Sequence, residues 1–175
     1  RNNLLKEVSE LEIVEEVNQR IFTNTRDVPR FFSVFCLDFE IKKAICFLGI
    51  ELDLSQLKIH PFSKKIKIKS ELNSFTVLLI NLLKNALRDI AGDLNKKCEF
   101  FVLESSDVVE IFVINDGFIA KPREILRKRR SLSNSSGLGL SIVQEQELIL
   151  KTEVSLIMTK GKIVCSFALK KEESK

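Results

Sequence analysis

Asparagine and arginine side chains recur at helical spacing in the stretch "NLLKNALR", residues 81–88. Asn81, Asn85 and Arg88 stand at positions i, i+4 and i+7, so they share one face of a helix whose opposite face carries leucines. An amide oxygen is a hard ligand that suits Mg²⁺, and a guanidinium binds phosphate oxygens through paired hydrogen bonds. The spacing indicates a site for a magnesium ion with phosphates. A polar, solvated stripe is the alternative interpretation.

The stretch "INDGF" places polar residues at the end of an alternating strand, "VEIFV". Asn115 and Asp116 supply hydrogen-bond acceptors, and Gly117 lets a flat ligand lie against the backbone. Asn-Asp-Gly is also a common turn sequence. The stretch is therefore informative only in combination with others.

A third stretch, "SSGLGLSIV", joins two glycines to a helical pattern without a break. Gly137 and Gly139 suit close backbone approach and positive φ angles. Leu140 and Val143 begin the apolar face of the helix that follows. A glycine loop fused to a helix in this way indicates a functional site rather than a simple connection.

Hydrophobic periodicity predicts the elements that position these residues. Helices are predicted over 3–21, from a cap at Asp38 to about 50, from a cap at Ser70 or Asn73 to 94, and over 138–150. Strands are predicted over 31–37 and 65–69, twice within 98–116 on either side of an "SSD" turn, and as a hairpin over 152–170 around Lys160 and Gly161. Residues 54–64 are predicted to be a connector and 118–136 a loop.

This order of elements predicts an α+β fold. We expect a two-layer α/β sandwich, in which about three helices cover one face of a mixed, mostly antiparallel sheet.

The composition, with 45% hydrophobic residues, 30% charged residues and a net charge of +4, is that of a globular protein. No apolar run reaches the roughly 20 residues of a membrane helix, so this piece is not expected to span a membrane. The one methionine is Met158, and we expect the sequence to be part of a longer protein. Six basic side chains within residues 121–130 suit nucleic acid, acidic lipid or polyphosphate, or else form a solvated loop.

The cysteines and the single histidine lack the spacing of a metal site. The four cysteines form no C-x-x-C pair and are interpreted as buried free thiols in a reducing compartment: Cys36, Cys46, Cys98 and Cys165. His60 precedes Pro61 in a connector and is interpreted as an ordinary surface residue.

In combination and in this order, the three stretches resemble the N box and the two glycine boxes of the ATP-binding catalytic domain of sensor histidine kinases. That domain belongs to the gyrase, chaperone, kinase and mismatch-repair (GHKL) ATPase superfamily. The resemblance covers about residues 62–170, including the final hairpin, and implies the Bergerat ATP-binding fold. Residues 29–175 are interpreted as the ATP-binding domain, and residues 1–28 as a helical arm that could be the end of a dimerisation hairpin.

The resemblance implies that the domain binds ATP and Mg²⁺. By position in the motifs, Asn85 would bind the metal with Asn81 beside it, and Arg88 takes the place of a phosphate-contacting lysine. Residues 118–136 would be the ATP lid. The implied contacts to the triphosphate come from backbone amides at a helix N-terminus, where the dipole favours anions: Ser136, Gly137, Leu138, Gly139 and Leu140.

Adenine recognition is where the sequence differs from the family pattern. The family usually has an aspartate that accepts a hydrogen bond from the adenine amino group, and counting back from Gly117 puts Asn115 in that place. The alternation of Ile111 and Val113 favours Asn115 as the residue that faces the base. Asp116 would replace it only through a one-residue bulge. A charged acceptor makes the stronger bond, so the sequence predicts that Asn115→Asp preserves or tightens ATP binding.

The expected function is that of a histidine kinase. Hydrolysing members of the superfamily carry a glutamate base where this chain has Asn81, so we expect phosphoryl transfer rather than hydrolysis. The acceptor histidine would lie in a separate dimerisation domain, of the same or a partner chain, and a response regulator would act downstream. The full-length protein is expected to be a cytoplasmic homodimer or the cytoplasmic part of a membrane sensor. No catalytic residue is assigned within this piece.

Three other functions compete with this one, of which serine phosphorylation of a small regulator is disfavoured by Asn81. A non-catalytic pseudokinase or nucleotide-sensing module would also suit an altered adenine box. Nucleic-acid binding by the basic residues of the lid is disfavoured, because the lid lacks aromatic residues for stacking on bases.

Overall fold

The computed structural model describes residues 32–117 and 138–172. The helices in these ranges are α1 (Leu37–Glu51), α2 (Leu72–Ile90) and α3 (Leu138–Leu150). The strands are β1 (Phe32–Cys36), β2 (Leu57–Ile59), β3 (Lys67–Glu71), β4 (Cys98–Glu104), β5 (Val108–Asn115), β6 (Ser155–Thr159) and β7 (Lys162–Lys170). The predicted arm, residues 1–28, and the predicted lid, residues 118–136, lie outside the described residues.

Five strands form one mixed sheet in the order β2-β4-β5-β7-β6. β2 runs parallel to β4, and the other neighbouring strands are antiparallel. β1 and β3 form a separate two-stranded antiparallel sheet, which a bridge between Ile68 and Lys171 connects to the chain after β7. The predicted α+β fold, with three helices and a mostly antiparallel mixed sheet, is confirmed for the described residues.

The central helix is α2, which packs against α1, α3 and β5. Its apolar residues recur on one face, where Leu78, Leu79 and Leu83 are fully buried. The Phe75 ring lies 5.2 Å from that of Phe35 and 6.4 Å from that of Phe167, so one side chain joins β1, α2 and β7. Each such buried side chain contributes about 1.5–3 kcal/mol. This packing fixes which face of α2 points outward.

The central strand β5 buries alternate residues, as its sequence predicts. Val109, Ile111, Val113 and Asn115 are buried, and the residues between them are half-buried. Asn115 pairs with Cys98 of β4 and Ile163 of β7. The strand therefore ends with a polar side chain on the face that otherwise forms the core.

Helix starts differ from the sequence prediction. The cap of α2 is Glu71, whose carboxylate accepts hydrogen bonds from the backbone nitrogens of Asn73 at 3.3 Å and Ser74 at 2.6 Å. The sequence predicts Ser70 or Asn73 as the cap, and this prediction is wrong; a glutamate is an uncommon N-cap residue. α1 begins one residue before Asp38, which bonds to Lys42 in the first turn instead of capping.

Several strand and helix limits also differ from the sequence prediction. β2 lies in the predicted connector, because three residues at a sheet edge give no readable alternation. β3 lies two residues later than predicted, and α2 ends four residues early. Gly92, with φ 88°, follows that end. The hairpin of β6 and β7 turns at Lys160 and Gly161, both with positive φ, as predicted.

The prediction of buried thiols is wrong for Cys36, which is exposed, and holds fully for Cys98. Burial raises the pKa of the Cys98 thiol to about 12. Cys46 and Cys165 are half-buried, and none of the four cysteines, all of which lie in the described ranges, forms a disulfide. Within the described ranges, no helix has the length and apolar character needed to cross a membrane.

Candidate functional site

The polar stripe of α2 faces away from the core. Asn85 and Arg88 are exposed and Asn81 is half-buried, whereas Leu82, Leu83, Ala86 and Leu87 are buried on the other side. The Asn81 amide nitrogen donates to the Val77 carbonyl oxygen at 2.8 Å, which leaves its amide oxygen as the group for other partners. The predicted common face of the three polar residues is therefore present in the fold.

The lysine within this part of α2 forms an ion pair between two helices. Lys84 pairs with Glu51, the last residue of α1. The pair connects the C-terminal end of α1 to the middle of α2. It therefore helps to hold the helix that carries the polar stripe.

The end of β5 adjoins this helix through Asn115. Its side chain is only 2% exposed, and its amide nitrogen donates to the carbonyl oxygen of Ala86 at 3.3 Å. Ala86 follows Asn85 directly in the chain. Two of the three stretches that the sequence singled out, "NLLKNALR" and "INDGF", thus meet in space at a hydrogen bond.

The side chains of Ile163 and Asn115 pack so closely against residue 117 that only a glycine fits there. A Cβ atom at this position would lie 2.7 Å from Ile163 Cδ1 and 2.9 Å from Asn115 Nδ2. Real Cβ contacts are not this short, so any other residue would displace the Ile163 side chain or the Asn115 amide. The glycine keeps the amide in its place.

The Asp116 carboxylate has its partners on the side of the chain opposite to Asn115. Its carboxylate accepts from the backbone nitrogen of Lys97 at 3.0 Å, and it lies 3.6 Å from the ammonium of Lys162. The pairing of β5 continues without a bulge to Asn115, so the two neighbouring side chains point to opposite faces. This arrangement favours Asn115 over Asp116 as the residue on the α2 side.

Asp116 belongs to a charged cluster on β4 and β7. Glu99 accepts hydrogen bonds from Lys162 at 3.0 Å and from the His60 ring at 2.9 Å, and the His60 hydrogen bond is the main cause that lowers the pKa of Glu99. His60 also stacks on Phe101, with ring centroids 3.8 Å apart. The sequence interpretation of His60 as a simple surface residue missed both contacts.

Asp89 is a site neighbour that the sequence analysis missed. It lies one turn beyond Asn85 on α2, and its carboxyl group is near enough to the Asn115 side chain for that side chain to influence its pKa. The residue as a whole is exposed, yet partial desolvation of the carboxyl raises the pKa of Asp89 above its ordinary value, with the Asn115 hydrogen bond acting in the opposite direction. The i, i+4 spacing from Asn85 was the available signal.

Solved structures of other proteins share the fold described above. No protein-family model matches the sequence, and no curated protein is significantly similar to it. The catalytic domain of the histidine kinase ThkA superposes with a TM-score of 0.69 and 19% identity, covering 81% of this chain and 97% of that chain. The mycobacterial sensor histidine kinase MprB superposes with a TM-score of 0.64 and 13% identity, covering 82% of this chain and 100% of that chain.

ThkA in complex with the response regulator TrrA is also similar, with a TM-score of 0.68 and 20% identity over 97% of this chain and 50% of that chain. The chain has the fold of a histidine kinase catalytic domain. The resemblance seen in the sequence is thus supported by three-dimensional structure.

Within this histidine kinase fold, the third stretch is described only in part. Leu138, Gly139 and Leu140 form the first turn of α3, as predicted, and α3 packs against α2. Ser136 and Gly137 lie outside the described residues. The roles of all these residues toward ATP and Mg²⁺ remain predictions.

Proposed function

We propose that this chain is the Mg-ATP-binding catalytic domain of a histidine kinase in a two-component system. The observation that carries the proposal is the hydrogen bond from Asn115 to Ala86, in a fold shared with histidine kinase catalytic domains. It joins the two stretches to which the resemblance assigns the magnesium and the adenine. Their meeting at one point is what a single nucleotide site requires.

The residues present fit this ligand. An exposed amide at Asn85 and an exposed guanidinium at Arg88 are the donor set for a hard cation and its phosphates. Gly117 packs closely against Ile163 and the Asn115 amide, which keeps that amide in place at the end of β5. The base of a nucleotide would therefore have a polar partner at Asn115 of β5, and its phosphates and metal would have partners at Asn85 and Arg88 of α2.

Each residue would have a positioning or electrostatic role. The Asn85 oxygen would ligate Mg²⁺, Arg88 would pair with phosphate oxygens, and the first-turn amides of α3 would bind the triphosphate. Bound Mg²⁺ would neutralise part of the phosphate charge. Asn81 is a neutral amide and cannot take a proton from water, so the chain would orient the γ-phosphate for an external acceptor rather than for hydrolysis.

The acceptor would be a histidine in a separate dimerisation domain, in the same or a partner chain. His60 of this chain is bonded to Glu99 and stacked on Phe101, which makes it a poor candidate. A response regulator would receive the phosphoryl group afterwards, and ThkA is known in complex with one. A homodimeric full-length protein in the cytoplasm would suit this role.

Phosphoryl transfer in the full-length protein tests the proposal. Incubation with γ-labelled Mg-ATP should give acid-labile label on the protein, which then moves to a response regulator. Asn85→Ala should reduce the label strongly, and Asp107→Asn, in the exposed turn at the other end of β5, is the matched control. Nucleotide binding without any label would contradict the kinase proposal.

A nucleotide-sensing pseudokinase is the second candidate. The observation that favours it is Asn115 itself, whose neutral amide already donates to Ala86. The labelling experiment separates the two candidates, because a pseudokinase binds ATP but transfers nothing.

A further inference from the structure

The small sheet of β1 and β3 has one buried face and one exposed face. Phe35 and Ile68, which pair directly across the two strands, are buried in the core. Side chains alternate along a strand, so the residues on either side of this pair point outward. The outer face consists of Phe32, Val34, Cys36, Lys67 and Lys69, all of which are exposed.

The β1 side of this outer face is apolar. Phe32 is 54% exposed and Val34 is 44% exposed, and the exposed thiol of Cys36 continues the same row. β1 is an edge strand of the two-stranded sheet. A row of exposed apolar side chains along an edge strand is a feature of interaction surfaces.

The β3 side of the outer face is basic. Lys67 lies directly opposite Cys36, and Lys69 lies directly opposite Val34. The stretch "KKIKIK", residues 64–69, has four lysines, all exposed, and no acidic residue. Among the residues that the structure describes, none of these four lysines forms an ion pair. An apolar row beside a basic row fits a partner with apolar and acidic side chains.

The chain itself contains a segment with both properties, residues 3–21, called here the N-terminal segment. Residues 7–16 include five glutamates and no basic residue, which complements the lysines of β3. The helix predicted for this segment has an apolar stripe made of Leu4, Val8, Leu11, Val14, Val17 and Ile21.

The position of the N-terminal segment in the chain also fits the outer face. Residues 22–31 separate it from β1, and a stretch of this length spans up to about 33 Å when extended. β1 begins at Phe32 and is about 17 Å long, so the segment can fold back over the whole strand. A short tether gives an effective concentration on the order of millimolar, so weak contacts suffice for docking.

We propose that the outer face of the β1–β3 sheet is the docking surface for the N-terminal segment of the same chain. The apolar stripe of the segment covers Phe32 and Val34, and its glutamates pair with Lys67 and Lys69. Docking makes the segment and the domain move as one body. The surface includes none of the residues assigned to the nucleotide, so this inference stands apart from the proposed function.

Alkylation of Cys36 by neutral iodoacetamide measures the docking. Cys36 is the one exposed cysteine of the four, all of which the structure describes, and a docked segment shields it. Glu12→Lys combined with Glu15→Lys should raise the alkylation rate roughly tenfold, the effect of losing a docked population of about 90%. Asp107→Lys combined with Glu153→Lys changes the net charge equally at exposed positions of the fold and should leave the rate unchanged.

Disulfide trapping shows which residues meet. The N-terminal segment has no cysteine, so Val8→Cys, Leu11→Cys and Val14→Cys each introduce one into the apolar stripe. Mild oxidation should link at least one of them to Cys36 within a single chain, because a disulfide requires Cα atoms within about 7 Å. Ser9→Cys, on the opposite side of the predicted helix, is the matched control and should stay largely unlinked.

The outcomes decide between three occupants of the outer face. Faster alkylation in the doubly substituted segment, together with a disulfide within one chain, supports the proposal. An alkylation rate that ignores the segment, or a disulfide that forms only between two chains, overturns it. A rate that ignores the segment but falls when vesicles of phosphatidylserine and phosphatidylcholine are added would assign the surface to an anionic membrane, which also overturns the proposal.

Discussion

The side-chain amide of Asn115, at the end of the central strand β5, donates a hydrogen bond to the carbonyl oxygen of Ala86 in α2, 3.3 Å away. This contact joins the sheet to the helix that carries Asn85 and Arg88. It is buried and has Gly117 packed against it.

Gly117→Ala should destabilise the fold and weaken nucleotide binding. The added methyl would lie 2.7 Å from Ile163 Cδ1 and 2.9 Å from Asn115 Nδ2, and such overpacking typically costs about 1–3 kcal/mol. Urea denaturation measures the free energy of unfolding. Ile163→Val removes the Cδ1 atom, so the double variant should lose less stability than the sum of the two single variants. Strict additivity would contradict this packing account.

The structure reverses the effect on ATP binding that is expected of Asn115→Asp, because the Asp89 carboxylate lies near residue 115. The sequence alone predicts that this change preserves or tightens ATP binding. In the structure, a carboxylate at 115 would face the Ala86 carbonyl and stand beside the Asp89 carboxylate, so we expect weaker ATP binding and lower stability. Adding Asp89→Asn should recover part of both losses. Calorimetry and denaturation of the four proteins in the double-mutant cycle measure the coupling, and a coupling near zero would contradict it.

Asp89→Asn should stabilise the nucleotide-free protein at neutral pH. Desolvation raises the pKa of Asp89 in the fold above its value in the unfolded chain. The stability that this group contributes is therefore fully present below the unfolded pKa and is lost as pH rises through the folded pKa. A negative charge near the C-terminal end of α2 is also opposed by the helix dipole.

The pH dependence gives the measurement. The variant should exceed the parent protein in free energy of unfolding at about pH 7, and the gap should shrink as pH falls toward the unfolded pKa of an aspartate. A variant less stable than its parent throughout this range would contradict the expected cost of ionising Asp89.

The isolated chain should not phosphorylate itself on His60. The His60 ring is hydrogen-bonded to Glu99 at 2.9 Å and stacked on Phe101, and Asn81 cannot activate a nucleophile by taking its proton. Incubation with γ-labelled ATP should leave the chain unlabelled. Label that disappears in His60→Ala would show that the acceptor lies in this chain after all.

Much of the fold could be predicted from the sequence, because the spacing of apolar residues follows the burial of their side chains. The alternation of Ile111 and Val113 predicted that Asn115 shares their side of β5, which the structure has, and the Lys160-Gly161 turn predicted the final hairpin. The helix α3 matched its predicted limits. These patterns are local, so sequence alone reveals them.

What the sequence did not reveal depends on contacts between distant residues. Glu71 caps α2 because the chain leaving β3 brings its carboxylate over two backbone nitrogens, although residue preference favours serine or asparagine. Asp89 became part of the site only when α2 packed against the end of β5. β2 forms because β4 supplies its partner, 41 residues along the chain from Leu57 to Cys98. No local pattern encodes such pairings.

The measurement that tests the central proposal most directly is a calorimetric titration of the chain with ATP, with and without Mg²⁺, in the parent protein and in Asn85→Ala. We predict a single site with a dissociation constant in the micromolar to millimolar range, roughly −4 to −8 kcal/mol. Mg²⁺ should tighten ATP binding in the parent protein and should have little effect in Asn85→Ala. The absence of any binding at millimolar ATP, or a magnesium dependence that survives in Asn85→Ala, would contradict the proposed site.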